Sequence, residues 1–547
     1  MTAILSALPI VVAIVLMVGF KKKSGVSLVA AWLTSVALAV FIWKMGVDHA
    51  GAFTVLGFLY AFNVILIVFS AIFLLNAMIE LRFIETISNG LNGITQDRRI
   101  QILIIAWLFG AFIEGASGFG TPGALAAPLL VGLGVPVFFA ALASLMANFP
   151  PVSFGVVGIP PVMGFNTIQP GLEAQYGEVA TEAIFSELTT MTGLTNIFVG
   201  SFVPFLIIAT IVARDGRKRG LKDAFNILPL CLFAGLVFTI PSWVISFLGP
   251  ELPTLIGSLI ALPVFIIAVK KGFLTPKEVY RFRDDPVRLP ANSAGTGISL
   301  ITAWSPYVII AVLLAVSRLP WLPFVQMFND PGVTVSITGL FGFEGIDWNW
   351  PVLNNPGLLP FLPVTLTFLI VRKTPPETII RTLKKTANQL KNAILALLFG
   401  VALVQIMRFT DYSRPGAELE AMTTEIARTL ANSFGAVYPL IGPMIGSLGA
   451  FVSGSHTVSN VMFYGLQLEA AEFLNLPVVL VLIGQTTGAS IGNMVAIHNA
   501  VSISATTGAT GSEGKMIAAA FLPFLLCLIA VSLILFIYLA LGVKWAA

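Results

Sequence analysis

Long apolar runs follow one another through almost the whole chain, separated by short polar segments. A helix crosses a bilayer with about 17 to 25 mainly apolar residues, and most of the runs are of this kind. We predict simple membrane spans near residues 3–20, 26–45, 53–79, 192–213, 226–248, 252–270, 298–317, 357–371, 389–407 and 517–543. The pattern predicts an all-α polytopic membrane protein.

Four further apolar segments are interrupted by glycine, proline, hydroxyl and amide residues. A helix in lipid must satisfy its own backbone, so such interruptions are tolerated only where the chain is buried in protein or lines a wet cavity. We therefore predict re-entrant hairpins near residues 100–133 and 435–468, and broken spans near residues 136–168 and 476–503. With the two broken spans counted as crossings, the prediction is about 12 transmembrane helices plus two re-entrant hairpins.

The interrupted segments occur twice in the same order. Both hairpin segments contain Gly-Ala-Phe followed by polar residues, at Gly110 and Gly449, an offset of about 340 residues. We therefore divide the chain into halves at 1–270 and 271–547. Paired interrupted segments in two halves are the best sequence-level indication of a transporter's binding site. The alternative is two unrelated packing seams of small residues.

Charge distribution supports this arrangement and orients it. Only 10% of residues are charged and 57% are apolar, against about 25% charged in soluble domains. With the N-terminus outside, cytoplasmic loops hold most of the basic residues, as the positive-inside rule requires. The outer side then holds only Lys44, Arg318, Arg408, Arg414, Arg428 and Lys544. Both termini would lie outside, and the halves would form inverted-topology repeats whose hairpins enter from opposite faces.

Three polar stretches fall outside the predicted spans. Residues 373–391 have the pattern of an amphipathic helix on the membrane surface. Residues 319–355 form a long outer loop whose tryptophans suit an interfacial aromatic belt, and residues 171–190 form an acidic outer loop that we expect to be solvated. Cys231 and Cys527 lie in apolar runs and indicate neither a disulfide nor a metal cluster. We expect no cofactor and no metal.

One motif is specific enough to indicate a family. The segment Phe109–Pro122, with its Glu-Gly-Ala-Ser-Gly-Phe-Gly-Thr-Pro core, resembles the bacterial lactate permease family. The likeness continues at Ala147-Asn148 and Pro151–Pro160, and it recurs at Gly454-Ser455, Ser459-Asn460, Gln485–Gly488 and Gly492–Met494. The resemblance implies a bacterial inner-membrane symporter that takes up lactate, and often glycolate, with protons. Some members have Asp at the position of His456 and Lys at that of Asn493.

The interrupted segments supply the candidate substrate ligands. Unpaired N–H groups and the dipole at a helix N-terminus favour a small anion. The candidates are Ser117, Gly118 and Thr121 in the first hairpin, Ser453, Gly454, Ser455, His456, Thr457, Ser459 and Asn460 in the second, and Asn148, Ser153, Thr487 and Asn493 in the broken spans. Their hydroxyls could instead bond back to their own helices. No Arg or Lys occurs in these segments, which favours a substrate with one carboxylate over one with several.

Three ionisable residues within the interrupted segments are candidates for proton coupling: Glu114, His456 and His498. We expect His456 to take the proton, because a docked carboxylate favours its charged form, so that proton and substrate promote each other's binding. Glu114 is the rival carrier, or else a protonated packing residue. His498 could simply cap a helix together with Asn499.

These observations leave two possible modes of coupling for a transporter. The first is proton symport of a 2-hydroxymonocarboxylate, lactate or glycolate, by elevator-like alternating access. The second is Na⁺ coupling, with oxygens of Asn148, Asn460 and Asn493 as ligands. An intramembrane enzyme finds no support, because the chain has neither a His-Glu-x-x-His motif nor a Gly-x-Ser-x-Gly elbow with triad partners. The expected partners are the substrate, H⁺ and the lipid bilayer, with no nucleic acid, and a homodimer is compatible with the sequence.

Overall fold

The computed structural model describes residues 2–20, 22–91, 94–118, 120–216, 220–283, 296–319, 321–412, 419–509, 511–543 and 545. Some residues used in the sequence analysis lie outside this range. They are Phe119 of the glycine-rich motif and the basic residues Lys21, Arg217, Lys218, Arg219, Arg288, Arg414 and Lys544.

The described chain is almost entirely helical. The helices up to residue 270 are α1 (Thr2–Ile14), α2 (Ser24–Phe41), α3 (Val47–Glu80), α4 (Phe83–Leu91), α5 (Arg98–Ile102), α6 (Gly110–Ala116), α7 (Thr121–Gly132), α8 (Val137–Met146), α9 (Gly155–Asn166), α10 (Gln169–Tyr176), α11 (Glu178–Gly200), α12 (Val203–Arg214), α13 (Lys222–Phe225), α14 (Leu228–Ser246) and α15 (Pro253–Lys270). Those that follow are α16 (Leu300–Ser317), α17 (Phe324–Phe328), α18 (Leu362–Val371), α19 (Pro376–Arg408), α20 (Met422–Phe434), α21 (Tyr438–Ser453), α22 (His456–Phe473), α23 (Val478–Gly492), α24 (Ile497–Thr507) and α25 (Glu513–Ala540).

The structure confirms a polytopic membrane protein with about twelve candidate spans. Within the described residues, eleven helical stretches are long and apolar enough to cross a bilayer, and the bent pair Val137–Met146 and Pro151–Asn166 makes twelve. The set of helices that could cross the membrane differs in part from the predicted set. Arg98–Ala116, predicted as part of a hairpin, is long enough to span, whereas Thr2–Met17 and Gly357–Val371 are shorter apolar helices.

The first interrupted region folds back on itself at a glycine turn. A continuous helical stretch covers α5, a π-helical segment Leu103–Phe109 and α6, and it is entirely buried. Gly118 and Gly120 then take left-handed conformations, with φ of 45° and 80°, which side chains other than glycine rarely adopt. Helix α7 follows and packs back against α6 and the π-helical segment. That this pair enters and leaves on one membrane face stays a prediction.

The second hairpin has the same construction. Helix α21 ends at Gly454, which is left-handed with φ of 71°, and Ser455 then caps α22 by accepting a hydrogen bond from the Val458 N–H. Helices α21 and α22 pack against each other. Ser and Gly at these positions suit an N-cap and a helix C-terminus respectively, so the local sequence accounts for the turn.

Both predicted broken spans are broken in the structure. Helix α8 meets the stretch Pro151–Asn166 at an angle of 51°. That stretch begins with a 3₁₀ turn, Pro151–Phe154, and continues as α9. Helix α23 passes through a 3₁₀ turn Asn493–Val495 and an extended Ala496 before α24 begins. In each case the break falls inside an otherwise apolar segment, which is where polar groups can be presented within the membrane.

The interrupted segments of the two halves pack into one core. Helix α22 contacts α9, α24 contacts α7, and α23 packs against both α21 and α11. The long helices α3 and α19 pack along each other and contact α9 and α22 respectively. The candidate site therefore lies between segments from both halves, with α3 and α19 along one side.

The predictions for the three polar stretches differ from the structure. The predicted surface helix 373–391 and span 389–407 form one helix, α19, because no glycine or proline interrupts the chain between Glu377 and Phe399. The predicted outer loop 319–355 contains a two-stranded antiparallel hairpin, β1 (Thr334–Ile337) with β2 (Trp348–Pro351). The predicted loop 171–190 is helical apart from Gly177.

Candidate functional site

A small cavity lies where the hairpin tips and both broken spans meet. We call it the central cavity. Its volume is about 30 Å³, and it is lined by Glu114, Gly120, Asn148, Val152, Val156, Pro160, Gly454, Ser455, His456, Thr457, Asn493 and Asn499. Seven of these residues were candidates from the sequence as ligands or proton carriers, and they come from both halves. No Lys or Arg lines this cavity among the described residues.

A larger cavity adjoins the central one, and we call it the vestibule. It measures about 460 Å³, and its lining includes the candidates Thr121, Ser453, Ser455 and His498. It shares Gly120, Gly454, Ser455 and Asn499 with the central cavity. Its opposite wall is formed by α3 and α19, and the exposed Lys23 and Lys385 also line it. The two lysines therefore place positive charge at the exposed part of the vestibule lining.

Three helices begin at these cavities. Gly120 precedes α7, Ser455 precedes α22, and Ala496 precedes α24. Gly120, Ser455 and Asn499, at or near these starts, all line the central cavity. Because N–H groups at a helix start are unpaired and the helix dipole is positive there, the arrangement favours a bound anion without a cationic side chain.

His456 is held by a backbone carbonyl of the first half and by Asn460 of its own helix. Its Nδ1 lies 3.0 Å from the Val152 carbonyl oxygen, and its Nε2 lies 3.0 Å from Asn460 Nδ2. Asn460 Nδ2 also donates to the Pro160 carbonyl, at 3.1 Å, which fixes the orientation of the amide. Carbonyl oxygens only accept, so Nδ1 carries a hydrogen and Nε2 accepts one from Asn460. The geometry thus describes a neutral imidazole with both nitrogens engaged.

A chain of buried amides and hydroxyls adjoins Asn460 within the second half, where Gln485 Nε2 lies 3.5 Å from Asn460 Oδ1. Gln485 Nε2 donates to Ser459 Oγ at 3.1 Å, Gln467 Nε2 donates to Gln485 Oε1 at 3.1 Å, and Tyr438 OH donates to Gln467 Oε1 at 2.9 Å. A buried polar network of this kind is stable only when its members are satisfied. It fixes the position of Asn460, and through it that of His456.

Glu114 has an environment unlike that of His456. Its side chain is buried, and no described group donates a hydrogen bond to its Oε2. Backbone packs closely around it, because a Cβ added at Gly155 would lie 2.4 Å from Glu114 Oε1. An ionised carboxylate without a cation or donor is very unfavourable in such a place, so the site accommodates the neutral acid.

Five other candidates are hydrogen-bonded to protein groups and line neither cavity. Four of them donate through a hydroxyl group and one through an amide. The hydrogen bonds run from Ser117 to the Ile113 carbonyl, from Ser153 to Ser490 Oγ, from Ser459 to the Gly446 carbonyl, from Thr487 to the Ile483 carbonyl, and from Asn460 to the Pro160 carbonyl. Gly118 forms the left-handed turn beside them. The structure brings these residues near the site without exposing them to either cavity.

A strained turn forms part of the cavity wall. Val156, Val157 and Gly158 are consecutive left-handed residues, with φ of 45°, 56° and 73°. For β-branched residues this conformation is an outlier that costs on the order of 1–3 kcal/mol each and occurs mostly at functional sites. Gly158 is required here, because a Cβ would lie 2.3 Å from the Pro250 carbonyl oxygen.

The sequence analysis did not select Asn499 as a ligand, nor the network residues Gln485, Gln467 and Tyr438. Asn499 lines both cavities and donates to Asn493 Oδ1 at 3.0 Å. A buried glutamine within an apolar helix is a signal in itself, since polar groups in a membrane are rare and usually functional. Gln467 and Gln485 could have been found on that ground.

Comparisons with known proteins agree over nearly the full length. Residues 2–542 match the family model described as L-lactate permease. The chain is 29% identical over 545 residues to the putative L-lactate permease of Haemophilus influenzae, covering 96% of each chain. It is 28% identical over 543 residues to Glycolate permease GlcA of Escherichia coli K12, covering 94% of this chain and 92% of that one. Among solved structures, the YdaH transporter of Alcanivorax borkumensis aligns with 75% of this chain and 90% of its own, at 16% identity and a TM-score of 0.31.

Proposed function

The chain belongs to the L-lactate permease family, and on that basis we propose that it takes up lactate, or a related 2-hydroxymonocarboxylate such as glycolate, together with a proton. The observation that carries the proposal is the central cavity. It combines three helix starts, neutral amide and hydroxyl side chains and one buried carboxyl group, with no described cationic side chain in its lining. That combination suits one small carboxylate and one proton.

The substrate carboxylate would sit at the starts of α22 and α24, beside Ser455 and Asn499, where a helix start favours an anion. At the start of α7 the Thr121 N–H already donates to the Gly118 carbonyl and Pro122 has no N–H, so α7 would contribute mainly through its dipole. The 2-hydroxyl would then meet the amides of Asn148 and Asn493, which line the same cavity. A substrate with a second carboxylate would need a further cation or donor fork, which the described lining lacks. The site therefore selects monocarboxylates. The central cavity is small, so binding requires the walls to separate from the side of the vestibule.

The geometry favours Glu114 over His456 as the proton carrier. Both nitrogens of His456 are bonded to neutral groups, so protonation would require Asn460 to leave Nε2. Glu114 has a carboxyl oxygen without a described donor and lines the central cavity. A proton on Glu114 would neutralise it beside an incoming anion, and release of the substrate would accompany release of the proton. His456 would then position the core and donate no proton.

Transport requires access from the other side as well. We propose that the core of interrupted segments moves against α3 and α19, in an elevator-like manner. The vestibule between these two bodies is the open route in this state. With both termini outside, as the charge distribution predicts, the vestibule opens to the cytoplasm.

The Na⁺-coupled alternative has less support. Asn493 Oδ1 already accepts a hydrogen bond from Asn499, and Asn460 Oδ1 lies 3.5 Å from Gln485 Nε2. No group of three or more His, Cys, Asp or Glu side chains that could hold a metal occurs among the described residues. Two of the three amide oxygens that the alternative requires therefore face protein donors.

Uptake of labelled L-lactate into proteoliposomes tests the proposal. An inward proton gradient should drive accumulation above equilibrium in Na⁺-free buffer, and unlabelled glycolate should compete whereas a dicarboxylate should not. Empty liposomes provide the control for passive entry of lactic acid. Accumulation that follows an imposed Na⁺ gradient and ignores the pH gradient would establish the alternative instead.

A further inference from the structure

A third cavity lies on the far side of the strained turn from the central cavity. It measures about 130 Å³, and its lining includes Asn63, Val157, Glu251, Arg318 and Asn354. We call it the Arg318 cavity. Within the described lining of the central cavity, the vestibule and this cavity, Arg318 is the one arginine.

Helix α3 shows that the Arg318 cavity and the vestibule lie at different depths. Asn63 and Ile67 line the former, and the stretch from Ile72 to Ile79 contributes to the latter. At 1.5 Å per residue, Asn63 and Ile72 are about 13 Å apart along the helix. The strained turn separates the cavities at the core, since Val156 lines the central cavity and Val157 the Arg318 cavity.

Arg318 is paired with a carboxylate but retains donor capacity. Its Nη2 donates to Glu251 Oε1 at 2.9 Å, and the two side chains are only 14% and 16% exposed. Its Nη1 donates to Asn354 Oδ1 and its Nη2 also donates to the Asn354 carbonyl oxygen at 3.3 Å, while Nε is buried without a described partner. A guanidinium presents Nε and Nη2 as a planar fork that matches a carboxylate with two parallel hydrogen bonds. Glu251 uses only one arm of that fork.

We propose that the Arg318 cavity is a monocarboxylate-binding site, at which the substrate carboxylate replaces Glu251 on Arg318 as it enters or leaves on the side opposite to the vestibule. The inference rests on the proposed function, because it takes the same substrate. Arg318 supplies there the bidentate recognition that the central cavity lacks. Glu251 holds the guanidinium in place while the site is empty. Its backbone nitrogen lies close to Gly158, so Glu251 adjoins the strained turn.

The rival interpretation is a static ion pair that only joins α16 to the start of α15. A static ion pair and a binding site predict different effects of the single substitutions on transport. A static pair loses the same bond with either partner removed, so Arg318→Gln and Glu251→Gln would have effects of the same sign and similar size, and the double variant would be no worse. At a binding site, Glu251 competes with the substrate, so its removal should strengthen binding from that side.

The test is half-saturation of labelled lactate transport in vesicles of known orientation, measured separately from each side. We expect Arg318→Gln to raise the half-saturating concentration from the Arg318 side by about tenfold or more, the loss of one charge-assisted interaction. The value from the vestibule side should stay within about twofold. Glu251→Gln should lower the half-saturating lactate concentration measured from the Arg318 side. The proposal would be overturned if the two substitutions changed the half-saturating concentration in the same direction. It would also be overturned if either substitution changed that concentration equally on both sides.

Matched variants keep the test decisive. Arg428→Gln removes an arginine from an exposed pair with Glu420 and should leave both values unchanged. If Arg318→Gln does not fold, as judged by thermal unfolding in detergent, Arg318→Lys keeps the charge and loses the fork, and should give an intermediate rise on the same side only. Absence of lactate transport by the parent protein would contradict the proposed function. Normal transport with unaltered half-saturation in both variants would contradict the Arg318 site alone.

Discussion

The Nδ1 atom of His456 lies 3.0 Å from the backbone carbonyl oxygen of Val152, so the tip of the second hairpin is hydrogen-bonded to the broken span of the first half. The bond joins residues 304 positions apart in the chain. It lies at the wall of the central cavity, which both residues line. Any movement that opens this cavity between the halves must lengthen or break it.

Substitution of His456 should separate this structural role from proton transfer. His456→Ala removes one of the two donors to the Val152 carbonyl, which also accepts a hydrogen bond from the Gly155 N–H, and this loss should lower the free energy of unfolding by about 0.5–1.5 kcal/mol. His456→Asn places an amide N–H near the position of Nδ1 and should recover part of that loss. Thermal unfolding in detergent, with and without lactate, measures both effects. Parent-like stability of His456→Ala would show that the bond contributes nothing.

Gly155 should be intolerant of a side chain because of Glu114. A Cβ at residue 155 would lie 2.4 Å from Glu114 Oε1, so Gly155→Ala must displace the buried carboxyl group. Overpacking of this kind typically costs about 1–3 kcal/mol, and we expect pH-driven uptake to be lost as well. Gly132→Ala is the matched control, since an added Cβ there meets nothing within 4 Å. Equal uptake by the two variants would show that the position of Glu114 is unimportant.

Local sequence was sufficient to locate the hairpin turns and the breaks. Gly118, Gly120 and Gly454 are left-handed in the structure, and glycine is the residue that such turns favour. The left-handed conformation of Val156 and Val157 could not be predicted, because β-branched residues disfavour it. It is imposed by packing, with Gly158 fitted against the Pro250 carbonyl.

The candidate site could be predicted as a set of segments but only partly as a set of contacts. The sequence does not say which hydroxyls face the cavity. Thr487 bonds back to the Ile483 carbonyl at 2.6 Å, whereas Thr457, also a candidate, lines the cavity. Partners from the other half are also invisible in the sequence. The Val152 and Pro160 carbonyls that hold His456 and Asn460 are backbone groups, which no residue pattern distinguishes.

Uptake of lactate with one proton should be electroneutral. The anion's charge and the proton's cancel, so an inside-negative potential imposed without a pH gradient should leave the initial rate nearly unchanged. The measurement uses proteoliposomes with a K⁺ diffusion potential and valinomycin, and equal K⁺ on both sides is the control. Strong stimulation by the potential would exclude one-to-one coupling and require more than one proton or a cation for each lactate.

Replacing Glu114 or His456 with glutamine should show which of the two residues carries the proton. Glutamine keeps the size of Glu114 but cannot exchange a proton. We therefore expect Glu114→Gln to lose accumulation driven by a pH gradient, with the internal concentration falling to the equilibrium level. Exchange of labelled for unlabelled lactate should continue, because exchange requires binding and movement of the core but no net proton transfer.

His456→Gln should behave differently if His456 only positions the core. Its amide can still donate a hydrogen bond, so pH-driven accumulation should persist, at a reduced rate and with a raised half-saturating concentration. Glu178→Gln removes an exposed carboxylate that lines neither the central cavity nor the vestibule, and this variant should transport like the parent. The reverse result, with accumulation lost in His456→Gln and kept in Glu114→Gln, would return the proton to His456, as the sequence analysis expected. It would then follow that Asn460 leaves Nε2 during each cycle, because that nitrogen must be free to accept the proton.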